Sequence, residues 1–212
     1  MSRELQAQQT KTKILEAAVE LFFTKGYEQT TMQNIMHATK LSKGALYHHF
    51  KSKQEILEYY TMQQQQLITN YFQELADNQN LTATQKLDHV IDYLIDNDDL
   101  PALTKAGWAE KVPFALLHTL RNMLNVLAPY LAEIIKQGVD QRAFNCHYPK
   151  EIAELLMLLV DIWLDPLIVS FNYEEICKKI DFIILLLEKF DAPIISEEKE
   201  NKIKERMKRY HD

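Results

Sequence analysis

The chain has 212 residues, 47% of them hydrophobic, and a formal net charge of −6, enough to bury one good core plus a smaller satellite domain. Its two cysteines, Cys146 and Cys177, lie far apart with no CxxC or histidine-containing ligand spacing, which argues against a disulfide framework or zinc site and for a reducing, cytoplasmic setting. Four glycines in the whole chain and no alternating strand pattern predict an all-α fold. No cationic leader with an apolar stretch and cleavage site opens it. Nor does any nucleophile–base pair, paired acid or metal cluster stand at recognisable spacing, so no enzyme activity, cofactor or metal is expected.

From 11 to 23 the apolar residues Ile14, Leu15, Ala17, Ala18, Leu21 and Phe22 recur along one helical face, and Gly26 supplies a left-handed stop. Thr30 or Thr31 then caps a short second helix, Thr30 with support from Gln33, and its inner face is Ile35, Met36 and Thr39. Ser42 caps a third helix at Lys43, and Ser52 with Glu55 forms a capping box for a fourth. On the third helix Leu46 and Phe50 face inward. Lys43, Ala45, Tyr47, His48 and His49 are left outside, and His49 has an internal hydrogen bond as its alternative. The order of support helix, short helix, turn and short exposed helix is a helix-turn-helix, whose last helix suits a DNA major groove. Charge agrees, since residues 1–53 carry a net +4 and the remainder −10, a basic head on an acidic body.

At these residues the sequence resembles the TetR/AcrR-type transcriptional regulators. The match runs from Ile14 through Ala17, Ala18, Leu21, Phe22, Gly26, Tyr27, Thr30, Thr31 and Ile35. It continues through Ser42-Lys43-Gly44-Ala45-Leu46-Tyr47-His48-His49-Phe50 to Lys53, about the first quarter of the chain. Thr39-Lys40 stands where the family often has Ala-Gly, and a positive φ at Lys40 costs roughly 1 kcal/mol relative to glycine. The DNA-contacting set expected on this basis is Thr31, Ser42, Lys43, Gly44, Ala45, Tyr47, His48, His49 and Lys53.

Beyond the head the sequence predicts a long connector over 52–77, a helix over 82–96, and an interrupted one over 98–111. A further helix over 113–141 is bent near Pro129 and stopped near Gly138. The connector belongs to both domains, so movement at its far end reaches the head. Segment 152–171 is apolar enough to suggest a membrane span, but Asp161 near a bilayer centre would cost about 2.5–3.5 kcal/mol, so no membrane partner is expected. This segment and 176–190, with Ile180, Ile183, Ile184, Leu187 and Phe190 inside, need cover from a second copy. The resemblance implies the same, a four-helix interface built from the last two long helices. It also implies a ligand cavity in the regulatory domain, for which Tyr60, Tyr71, Trp108, His118, Asn122, Met123 and Trp163 are the candidates.

The expected organisation is a helix-turn-helix domain over 1–53, a helical ligand-binding and dimerisation domain over 54–195, and a charged helical tail over 196–212, on the surface or against a partner subunit. The expected function is that of a homodimeric repressor released from a palindromic double-stranded operator by a small apolar or amphipathic effector. Control by a protein partner, or by no effector at all, is the alternative.

Overall fold

Helix formation begins earlier than the apolar pattern does. In the computed structural model, which describes residues 3–96, 115–165 and 168–208, α1 spans Arg3–Thr24. Its first two turns are rich in glutamine, glutamate, leucine and alanine, good helix formers that extend the helix outward from its first buried residue, Ile14.

Next come α2 (Met32–Thr39), α3 (Lys43–His49) and α4 (Lys53–Asp77). Gly26 has φ +91, the expected left-handed stop, and Lys40 has φ 55, so the turn does adopt the conformation that the missing glycine would ease. Thr31 is the cap of α2, in a reciprocal box with Asn34. Thr30 is instead buried, its hydroxyl donating to the carbonyls of Gly26 (2.8 Å) and Leu21 (3.2 Å). Ser52 accepts from the Glu55 N–H at 3.1 Å, but the Glu55 carboxylate takes the Lys51 N–H, one residue earlier than the box predicts. Ile14, Ala18, Phe22, Ile35, Leu46, Phe50, Ile56, Leu57 and Tyr60 form one core, each large side chain stabilising the fold by roughly 1.5–3 kcal/mol. This core extends past residue 53 along α4.

The chain divides into two compact units, the first built mainly on residues up to Gln66 and the second on Leu67 to the end of α5 and from Thr119 onward. The second holds α5 (Ala83–Asp96), the end of α6 (Ala115–Asn122), α7 (Ala128–Asp140), α8 (Pro149–Leu158), α9 (Tyr173–Lys189) and α10 (Glu197–Lys208). The helix expected over 98–111 lies outside the described residues. A core runs from Phe72 of α4 through Leu87, Leu131, Ile135, Ile152 and Leu156 to Ile180 and Leu187.

Between α6 and α7 the helix widens into a π-helical turn, Met123–Leu127, which ends two residues before Pro129. A proline ring in a regular helix collides with the carbonyl four residues back. Here the Ala128 N–H reaches Met123 O instead, and the Asn125 side chain donates to Arg121 O at 2.8 Å. Gly138 does not stop α7. The helix continues to Asp140 and ends at Arg142, φ 58, with the Ala143 N–H on the Gly138 carbonyl at 2.9 Å.

The helix expected over 152–171 is shorter. α8 passes into a second π-helical turn, Leu159–Trp163, and stops at Leu164, two residues before Pro166 in the sequence. Lys179 of α9 donates to the Trp163 carbonyl at 2.7 Å, a cation on a helix C-terminus. α9 starts at Tyr173, where Asn172 and Glu175 form a capping box. Ile180, Ile183 and Leu187 are buried as expected, whereas Phe190, at the C-cap, is 42% exposed and Leu185 is 50% exposed.

The tail helix α10 packs against α5 and α9 of its own chain. Lys199 reaches Asp92 at 2.5 Å and Lys204 reaches Asp181 at 2.5 Å, while Ile203 and Met207 lie on the core. Among the described residues no helix is long and apolar enough to cross a membrane, and no cluster of histidine, cysteine or carboxylate side chains could hold a metal ion.

Candidate nucleic-acid interface

Seven residues make α3, and three local features hold it. The Ser42 oxygen accepts the Ala45 N–H at 3.2 Å, Leu46 is fully buried, and the Phe50 N–H closes on the Leu46 carbonyl at 3.1 Å. Lys51 reaches back from beyond the helix to donate to Tyr47 O at 2.7 Å, placing a cation at the C-terminal carbonyls. With the inner row fixed, Ser42, Lys43, Gly44 and His48 are exposed, and Ala45, Tyr47 and His49 half-buried. The Lys43 ammonium stands 6.0 Å from the Tyr47 ring centre. A Cβ added at Gly44 would meet nothing within 4 Å, so the head itself does not require a bare backbone there.

Thr31 is exposed at the start of α2. Its oxygen accepts the Asn34 N–H at 3.2 Å, and its own N–H donates to Asn34 Oδ1 at 3.0 Å. Both cap hydroxyls, Thr31 and Ser42, accept from the backbone and retain an O–H to donate.

The histidines differ. His49 lies between the inner and outer rows, edge-on to His48 with ring centres 5.3 Å apart. Burial, aided by His48 and Lys11, holds its imidazolium below the ordinary histidine range, so it is neutral at pH 7. Lys11 of α1 stands 3.6 Å over the Tyr59 ring centre and 5.5 Å from that of Phe50.

Lys53 is engaged within the protein. Its ammonium donates to Tyr27 O at 2.7 Å and Glu28 O at 3.2 Å, lies 3.8 Å from the Glu28 carboxylate, and sits 4.3 Å over the Tyr27 ring. It fastens the loop after α1 to the start of α4. Of the other expected contacts, Thr31, Ser42, Lys43, Gly44, Ala45, Tyr47, His48 and His49 all belong to α2, α3 or their caps.

The residues proposed for an effector cavity have varied surroundings. Tyr60 is in the first core, edge-on to Phe23 at 6.4 Å. Tyr71 stacks on Tyr93 at 4.3 Å and donates to His89 O at 3.0 Å. Met123 is buried in the second core, Asn122 is half-buried, and His118 is exposed. Trp163 is edge-on to Phe182 at 5.9 Å, with the Lys179 ammonium 4.9 Å over its ring. Trp108 lies outside the described residues. Two shallow cavities are present in the second unit, about 300 Å³ lined by Phe144, Asn145, Glu188, Asp191 and Pro193, and about 260 Å³ lined by Tyr148, Glu151, Ile152, Leu155 and Phe190. None of the expected ligand residues lines either.

Comparison with known proteins gives a match of residues 14–60 to the model of bacterial regulatory proteins of the tetR family, and of residues 113–184 to that of the tetracyclin repressor-like C-terminal domain. Together these take in more than half of the chain. The chain belongs to the TetR family. Among curated relatives, the HTH-type transcriptional regulator UidR of Escherichia coli K12 is 31% identical over 108 residues, covering 51% of this chain and 50% of that protein. The match thus spans about half the length of such relatives. Among solved structures, the TetR family regulator PfmR from Thermus thermophilus superposes with a TM-score of 0.56 at 24% identity, over 82% of this chain and 97% of that one. A gamma-butyrolactone receptor described as ArpA-like gives 0.54 at 18% identity over 97% of each chain. The TetR-type fold, a three-helix head followed by a long helix and a helical body, is therefore shared well beyond the stretch of sequence similarity.

Proposed function

We propose that this TetR-family chain is a homodimeric DNA-binding regulator, a repressor released from a palindromic operator by a small apolar or amphipathic effector. The observation that carries the DNA-binding part is the outer row of α3. Lys43, Gly44, Tyr47 and His48 project from a helix whose inner row is locked by Leu46 and Phe50, and a side chain at Gly44 would obstruct only something outside the head. Lys43, Tyr47 and His48 read the major groove, with Ala45 and His49 beside them. Thr31, Ser42 and the Gly44 backbone take phosphates. Lys53 adds its charge to the basic head while holding the loop at Tyr27.

One short helix contacts too few bases for specificity, so two heads must act together, on half-sites about one helical turn, roughly 34–36 Å, or a multiple of it apart. Exposed apolar side chains of the second unit support a dimer made through α8 and α9. Tyr148, Phe182, Leu185 and Phe190 are all between 42% and 54% exposed, an apolar surface that a second copy covers. The small-molecule part rests on the family resemblance and the likeness to a fold whose solved members include a gamma-butyrolactone receptor.

Selection of bound duplexes from a random-sequence library, followed by footprinting, tests the reading. The expected product is an inverted repeat protected by a dimer. A chain that stays monomeric and enriches no sequence at low salt would overturn it.

A further inference from the structure

Three of the head's lysines have their ammonium groups committed to the protein: Lys53 to the Tyr27 and Glu28 carbonyls, Lys51 to Tyr47 O, and Lys11 to the face of Tyr59. Lys25 differs from these. It is exposed in the turn after α1, and its Nζ donates to Asn34 Oδ1 at 2.8 Å. That same oxygen accepts the Thr31 N–H at 3.0 Å. Lys25 and Thr31 therefore share one anchoring atom, and the ammonium stands no more than about 6 Å from the Thr31 nitrogen, a gap that one phosphate group can bridge. Among the described residues no carboxylate lies within ion-pair distance of Lys25, so two of its three N–H donors remain for a partner outside the chain.

We infer that Lys25 is a further DNA-backbone contact, held in place by Asn34 so that its ammonium and the Thr31 hydroxyl grip the same phosphate. The inference rests on the DNA-binding reading above and adds two residues to it. An unanchored surface lysine loses most of its side-chain freedom on gripping a phosphate. Here the bond to Asn34 has restricted the side chain beforehand. Asn34 is the positioning residue, and touches no DNA itself.

The test is fluorescence anisotropy of the full-length protein on a labelled mixed-sequence duplex of about three helical turns, roughly 30 base pairs, over a series of KCl concentrations. Lys25→Ala should weaken binding severalfold at low salt and reduce the slope of log K against log salt by about one per contacting head. Lys25→Arg should restore both. Asn34→Asp keeps an acceptor for the Thr31 N–H and puts a negative charge in the first turn of α2, where helices tolerate it, so the fold is retained. Its carboxylate pairs with Lys25 and should lower affinity at least as far as Lys25→Ala. In a Lys25→Ala background Asn34→Asp should cost much less than it does alone, and an equal loss in both backgrounds would mean that the new carboxylate repels DNA directly and does not act through Lys25. Lys136→Ala, on an exposed face of α7, should change nothing. If Lys25→Ala and Asn34→Asp both bind as wild type while Lys43→Ala is impaired, this inference is wrong and the DNA-binding reading stands. If the wild-type protein ignores the duplex at low salt, both are wrong.

Discussion

The ring of Phe144 lies against the backbone of Gly138, so close that a Cβ added there would stand 2.0 Å from the tip of the ring. Gly138→Ala therefore has to push Phe144 out of its place. Overpacking of this kind costs about 1–3 kcal/mol, partly offset by the roughly 1 kcal/mol that alanine gains over glycine in a helix. The expected net result is a loss of up to about 2 kcal/mol in urea unfolding. In a Phe144→Ala background the same substitution should change sign and stabilise, because only the helix-propensity gain remains. A loss of equal size in both backgrounds would show that the contact is not responsible.

Lys40 holds φ 55 in the turn of the helix-turn-helix. Lys40→Gly should raise the stability of the head by up to about 1 kcal/mol, read as a higher denaturation midpoint with an unchanged slope. Lys40→Val should lower it, since a β-branched residue tolerates that conformation least.

Tyr47→Ala and Lys43→Ala should each weaken operator binding by about 5- to 150-fold, the equivalent of about 1–3 kcal/mol for a good base contact. Circular dichroism and the oligomeric state should be unaltered, because neither side chain belongs to the buried core. Two variants that retain wild-type operator affinity would remove α3 as the reading element.

Asp161, in the second π-helical turn, is exposed on one side and crowded by neighbouring protein on the other. Desolvation first and the neighbouring Asp165 second push its carboxyl up to about 6. A carboxyl raised in the folded state binds its proton more tightly there than in the unfolded chain, whose value is about 3.9. The ionised form therefore destabilises fully above about pH 6, and the penalty fades as the pH falls toward 4. Asp161→Asn should melt at a higher temperature than wild type at pH 7.5, with the gap closing between pH 6 and 4. A gap independent of pH would mean that ionisation of Asp161 is not the cause.

The head was the most legible part of the sequence because its determinants are local. Ser42, Leu46 and Phe50 fall within nine residues of one another, and capping and helical spacing suffice to place them. Asn34 was readable in the same way, three residues after Thr31, but Thr30 with Gln33 offers the same spacing one position earlier. What could not be read depends on residues distant in the chain. Lys53 looks like a free cation until Tyr27 and Glu28 are brought to it across 26 and 25 positions. Gly138 reads as a helix stop, when its smallness serves the Phe144 ring. Pro129 announced an irregularity, but not that a π-helical turn would absorb it, and apolar periodicity alone carried α9 on to Phe190, which the C-cap turns outward.

The charged C-terminal helix sets a limit on how the protein can be handled. Lys199 and Lys202 both serve Asp92, and Ile203 and Met207 cover apolar side chains of the same unit. Clipping the chain after residue 195 would leave that carboxylate without these two partners and open greasy surface to water, so preparations trimmed by proteases should clump before their heads lose shape.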